Sequence, residues 1–217
     1  MYIKEDGRQH DNSDYKDKCL VCFFSFGRPE ITKKSFENLL ENIRLQDRLL
    51  VIDQCGLNKE LYIEYFDRID WLQVWKRNYG IGVVYIFIRK FLESLIGIQV
   101  ETSYTDDKNW VPDYINIVES DSIGKKGWID RVMKGFNLEN VGIVSGFDSE
   151  LYKPIGKINE FLVKKTVCGV NIVIRKDFCL KYFNVFKEWG QDRQISIINN
   201  NTGKKILILP GEIIHIG

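Results

Sequence analysis

No surplus of charge marks this chain. Its 31 basic residues face 30 acidic ones, for a formal net charge of +1, so no global field draws it onto nucleic acid or an anionic membrane. Nor does it contain an apolar run near the roughly 18 residues of a membrane span. Its opening stretch, MYIKEDGRQHDNSDYKDK, is polar and unlike a secretory leader. These absences predict a cytoplasmic protein with no transmembrane segment and a flexible N-terminal arm over residues 1–18. Phosphate-binding glycine loops are missing as well. The turn SFGRPE, after the first apolar run, holds one glycine followed by Pro29, which lacks a backbone donor. That excludes the dinucleotide fingerprint, and no Walker A sequence occurs elsewhere. The chain has five cysteines, Cys19, Cys22, Cys55, Cys168 and Cys179, mostly inside apolar runs, as expected of reduced thiols acting as small hydrophobes. The CLVC spacing suits a redox motif, yet it lies within the strand-like KCLVCFFSF rather than at the start of a helix.

What the chain does have is enough apolar material for one domain, 44% of 217 residues, and no internal repeat or low-complexity linker divides residues 19–217. Strand-like runs (CLVCFFSF, RLLVID, WLQVWKR, YINIVES, NVGIVSGF) alternate with helix-like ones (PEITKKSFENLLENI, LYIEYFDRI, GVVYIFIRKFLESLI, KKGWIDRVMKGF). CGVNIVIRKDFCLKYFNVF reads as a strand followed by a helix, and KKILILPGEIIHIG as a last strand or pair of strands. SYTDDKNWVPD, residues 103–113, reads as a surface loop and NNNTGKK as a turn. Such alternation on short connections predicts a three-layer α/β domain, with a mostly parallel central sheet and helices on both faces.

In an open α/β sheet, ligands bind beyond the carboxyl ends of the strands. The residues just past those ends are Ser25 to Arg28, then Asp53, then Arg77, Asn78 and Gly80, then Glu119 and Asp121. Asp53 reads either as a solvated strand terminus or as an acceptor for a base or ribose, and Arg28 as a surface cation or its companion. Arg77 and Asn78 stand before glycines that permit close approach to a ligand, or simply in a helix-entry loop. Glu119 and Asp121 are hard oxygen ligands of the kind that suits Mg²⁺ or Mn²⁺, with positions left for phosphate oxygens and water; a short E-x-D is also a common acidic turn. Asp192 in WGQDRQIS reads as a helix cap. His215 reads as a packed strand histidine or as a third metal ligand.

The order of these motifs resembles the GT-A glycosyltransferases, especially the nucleotide-sugar-dependent family 2 enzymes, over roughly residues 19–217. CFFSFGRPEITKKSFENLL is similar to the family's first strand and helix, and LLVIDQCG to its second strand with the nucleoside-binding aspartate. RNYGIGVVYIFIRKFLE is similar to its asparagine-glycine segment, and INIVESDSIGKKGWIDRVMKGF to its acidic metal motif and Gly-Trp helix. CGVNIVIRKDF looks like the strand bordering the acceptor, WGQDRQIS like the segment with the catalytic base, and IIHIG like a C-terminal metal-binding histidine. Two positions depart from the pattern: Glu119 stands where the family usually has Asp, and Gln191 where it has Glu.

The resemblance implies a nucleotide-diphospho-sugar transferase-like fold and a metal-dependent, hexosyltransferase-type enzyme, with Mn²⁺ or Mg²⁺ held by Glu119, Asp121 and His215. The donor would be a nucleoside diphosphate sugar of the UDP type, held by Ser25, Arg28, Asp53, Arg77, Asn78, Gly80 and Glu119. Asp192 would act as general base in an inverting transfer to a hydroxyl of a glycan, a lipid-linked sugar, a protein or a modified DNA base; the balanced charge weighs against DNA. The rivals are a catalytically silent nucleotide-sugar or glycan-binding module and a sugar-phosphate nucleotidyltransferase, which would need the glycine-rich basic loop that SFGRPE does not supply.

Overall fold

The computed structural model describes residues 2–3, 16–101, 110–184 and 190–217. The rest of the expected arm and most of the expected loop at 103–113 lie outside the described residues.

Eight consecutive residues form β2 (Cys19–Phe26), and the side chains of the first six alternate between two cores. Cys19, Val21 and Phe23 enter one, together with Phe36, Leu39 and Leu40 of α1 (Pro29–Asn42) and Trp128, Ile129 and Val132 of α4 (Trp128–Met133). Leu20, Cys22 and Phe24 enter the other, with Val84, Tyr85, Ile88 and Leu92 of α3 (Ile81–Glu101), Phe178 of α5 (Lys176–Tyr182) and Ile195 of α6 (Gln191–Asn201). A strand buried on both faces needs apolar residues at every position, which is why β2 and β3 (Arg48–Gln54) read as continuous runs. The same alternation puts Cys19 and Cys22 on opposite faces, so the CLVC pair cannot close a disulfide; the five cysteines are free thiols.

Among the described residues the sheet has 11 strands in the order β1-β4-β3-β2-β5-β10-β7-β11-β9-β8, with β6 on β11. These are β1 (Tyr2–Ile3), β4 (Trp71–Val74), β5 (Tyr114–Glu119), β6 (Ser122–Gly124), β7 (Val141–Phe147), β8 (Gly156–Ile158), β9 (Phe161–Lys164), β10 (Asn171–Arg175) and β11 (Lys205–His215). Strands β2, β3, β4, β5, β7, β8 and β11 point one way, and β1, β6, β9 and β10 the other. The three-layer α/β architecture with a mostly parallel sheet is the expected one. The short strands β6, β8 and β9 are additions, and the expected turn NNNTGKK begins only at Thr202 because its asparagines complete α6. The short helix α2 (Lys59–Glu64) follows β3 as expected.

The tail forms one long strand with a change of partner. Lys205–Ile208 lie between β7 and β9, whereas Ile213–His215 pair with β6, and the register shifts across the Pro-Gly step between them. Proline cannot donate to a ladder, so the strand bulges there and its end is redirected. That redirection sets His215 opposite Ser122.

Candidate active site

Because β2, β3, β5, β7 and β11 share a direction, their carboxyl ends lie along one sheet edge. Antiparallel β10 begins at that edge too, so the segment before it, Cys168–Val170, returns to face Glu119, whose N–H donates to Val170 O at 3.1 Å. Gly169 eases this approach, since a Cβ there would stand a tight 3.2 Å from Glu119 Oε1 and push that carboxylate aside.

Asp121 is the centre of the cluster. It is 5% exposed, and its Oδ2 accepts from Arg28 Nη2 at 2.5 Å and lies 3.0 Å from His215 Nε2. Its Oδ1 is buried with no hydrogen-bond partner among the described residues. Burial, then the neighbouring Asp121 and Asp192 charges, push the Glu119 carboxyl up to about 7, against the opposing pull of Arg28. Glu119, Asp121 and Asp192 therefore share one electrostatic neighbourhood. Asp192 is half-buried in the first turn of α6, where its Oδ1 accepts from Arg193 N at 2.7 Å.

The turn carrying Asp121 is held by one face of α1. The Ser35 hydroxyl donates to Ser122 O at 2.6 Å and accepts from Ser122 N at 3.3 Å. Asn38 Nδ2 donates to Gly124 O and its Oδ1 accepts from Gly124 N, at 3.0 and 2.7 Å, and Asn42 Oδ1 accepts from Gly127 N at 2.7 Å. Positions 35, 38 and 42 follow the helical period, so one polar stripe of α1 is the scaffold of the acidic turn.

Asp53 is placed differently. Fully buried, it accepts from Ser25 Oγ at 3.3 Å and from Asn58 N at 3.1 Å, while Tyr62 OH donates to Ser25 Oγ at 2.7 Å. Ser25 and Asp53 thus serve an internal network in this conformation, behind the turn that carries Arg28. Arg77, Asn78 and Gly80 stand on the same edge, beyond β4. Asn78 Oδ1 accepts from Gly80 N at 2.7 Å, and the exposed Arg77 lies 4.9 Å from the Tyr79 ring centroid. Sequence reasoning passed over Ser35, Asn38, Asn58, Gly169 and Tyr152. The Tyr152 hydroxyl is raised first by burial and then by Asp192, so it borders the same neighbourhood; the sequence holds no local signal for any of the five.

Among the described residues no three His, Cys, Asp or Glu side chains converge as a complete metal cage. The residues still suit a divalent cation of the phosphate-bridging kind, which takes one or two protein ligands and completes its shell with water and phosphate oxygens. A buried carboxylate oxygen without a partner and an adjacent imidazole are such ligands.

No known family model matches the sequence, and no curated protein matches it either. Solved structures do. The mannosyltransferase PcManGT from Pyrobaculum calidifontis, in complex with GDP-Man and Mn²⁺, superposes with a TM-score of 0.65 at 10% identity, over 91% of this chain and 56% of that one. The S. aureus TarS fragment 1–349 gives a TM-score of 0.58 at 13% identity, over 88% and 58%. A second S. aureus TarS structure gives 0.60 at 10%, over 89% and 35%. The chain thus spans little more than half the length of the first two. Together with the strand order and the acidic turn at the edge, these likenesses establish a GT-A-like fold for this chain.

Proposed function

We propose that the chain is a glycosyltransferase that moves a hexose from a nucleoside diphosphate sugar, of the UDP type, to an acceptor hydroxyl with inversion. The observation that carries this reading is the meeting of Asp121, His215 and Arg28 at the strand ends, with Glu119 and Asp192 in the same electrostatic neighbourhood. The fold likeness to a GDP-Man and Mn²⁺ complex supports a nucleotide-sugar donor and a divalent ion.

Asp121 and His215 would hold Mn²⁺ or Mg²⁺, with Glu119 beside them. When bound, that ion supplies Lewis-acid stabilisation to the departing diphosphate. Arg28, on its turn beside Asp121, binds and orients the diphosphate. The buried Ser25–Asp53–Asn58 network fixes the wall behind the nucleoside, and exposed Arg77 and Asn78 form its outer rim. Asp192 takes the proton from the acceptor hydroxyl as its oxygen attacks the anomeric carbon, the general-base role open to a positioned carboxylate. Gln191, neutral where the resembled family has Glu, leaves Asp192 as the base of this segment.

The test is nucleoside diphosphate release from a panel of UDP- and GDP-sugars, with candidate glycan, lipid-linked, protein and DNA acceptors, with Mn²⁺, with Mg²⁺ and with chelator. Asp192→Asn should lower transfer by about 10²–10⁴-fold while donor binding, read by calorimetry, persists. A chain that binds donor but never releases nucleoside diphosphate is a binding module, and the enzymatic reading falls.

A further inference from the structure

The acidic turn already has a cation on it. We propose that Arg28 is the resident counter-cation of Asp121, occupying one of its carboxylate oxygens until a divalent ion displaces the guanidinium, so that the free protein sets its own metal affinity through this arginine. The inference rests on the metal-dependent reading above and deepens it.

Three observations point to it. First, Arg28 Nη2 reaches the Oδ2 that also faces His215 Nε2, so the guanidinium sits on the oxygen that an ion bound by both residues would use. The arginine side chain is 48% exposed against 7% for the aspartate; one partner is fixed and the other has solvent into which to withdraw. Second, the backbone is shaped to deliver it. Gly27 and Arg28 both adopt left-handed conformations, φ 65° and 48°, and a non-glycine residue in that region carries strain that its surroundings must hold in place. They do: Gly27 O accepts from Thr32 Oγ1 at 3.0 Å and from Asn58 Nδ2 at 3.3 Å, and Arg28 O accepts from Thr32 N at 2.9 Å. Third, the other oxygen, Oδ1, has no partner among the described residues although buried. Arginine therefore neutralises the carboxylate without saturating it, and an entering ion meets one free oxygen and one that must be released.

A guanidinium held by a half-exposed, charge-assisted pair competes modestly, not prohibitively. Released, it is left beside the anionic diphosphate of a donor, so cation arrival and donor capture are coupled through one side chain.

Mn²⁺ binding to the full chain without nucleotide tests this, followed by the electron paramagnetic resonance signal of free Mn²⁺. Arg28→Gln should bind Mn²⁺ about three- to fivefold more tightly than the parent chain, the equilibrium counterpart of losing such a pair. Arg28→Gly, which suits the left-handed backbone and so guards against misfolding, should do the same. Asp121→Asn should abolish binding in either background. Equal or weaker Mn²⁺ affinity in both Arg28 variants, with Asp121 still required, would overturn the competition while leaving the metal reading intact. Absence of binding by every chain, or binding indifferent to Asp121, would remove the metal reading and this inference with it.

Discussion

Asp53 and Asp121 are the same residue type at the ends of β3 and β5, the two strands that flank β2 on one sheet edge, yet the molecule treats them in opposite ways. Asp53 is enclosed, its oxygens accepting from Ser25 and Asn58 in a network that Tyr62 completes. Asp121 is almost as buried, but one oxygen is shared by the cationic Arg28 and the imidazole of His215 and the other has no partner among the described residues. A carboxylate whose hydrogen-bonding capacity is filled from within orders the chain around it. One left underfilled beside movable groups is poised for an incoming ligand. The contrast separates the structural end of the edge from the chemical one.

The sharpest break would come from Asp121→Asn. If Asp121 is the chemical carboxylate, transfer should fall by roughly 10²–10³-fold, while urea denaturation shifts by no more than about 1 kcal/mol because the Arg28 side chain left unpaired is half-exposed and can be solvated. Severe destabilisation would place Asp121 with Asp53. The reciprocal change, Asp53→Ala, strips partners from a buried hydroxyl and a buried N–H and should lower stability by about 3 kcal/mol, leaving Mn²⁺ binding in place. A stable Asp53→Ala protein that had lost nucleotide affinity would erase the contrast.

A finer test uses pH in metal-free protein. The Glu119 carboxyl in the folded chain is raised from 4.5 to about 7, so between those values the native state holds a proton that the unfolded state has released. The stability this contributes is fully present below about pH 4.5 and is lost as pH rises toward 7, up to about 3 kcal/mol at 1.36 kcal/mol per unit. Glu119→Gln should flatten that slope in denaturation curves taken across the range. An equally steep slope in the variant would assign it to another group.

The parallel half of the sheet was legible because β2, β3 and β5 are buried on both faces and write themselves as apolar runs, and because helices of ordinary length separate them. The far half was less so. Strands β6, β8 and β9 are three or four residues long and partly exposed, too short to carry a periodicity. The candidates from Ser25 to Asp121 were picked by their place after a strand, yet Ser25 and Asp53 are fully buried in an internal network, which no strand-end rule reveals. Ser35, Asn38 and Asn42 on α1 were missed because a polar stripe on an amphipathic helix has the same pattern whether it meets water or a loop.

By itself the sequence determined the alternation of strands and helices, the two-sided burial of the central strands and the edge at which the polar residues collect, since hydrophobic periodicity and chain connectivity are local properties. Only the tertiary structure decided which carboxylate is closed and which is open. Arg28 and Asp121 are 93 residues apart and His215 arrives through the pairing of β11 with β6. Electrostatics acts through space, so the environment of a charge is written by whichever distant segments the sheet order brings beside it.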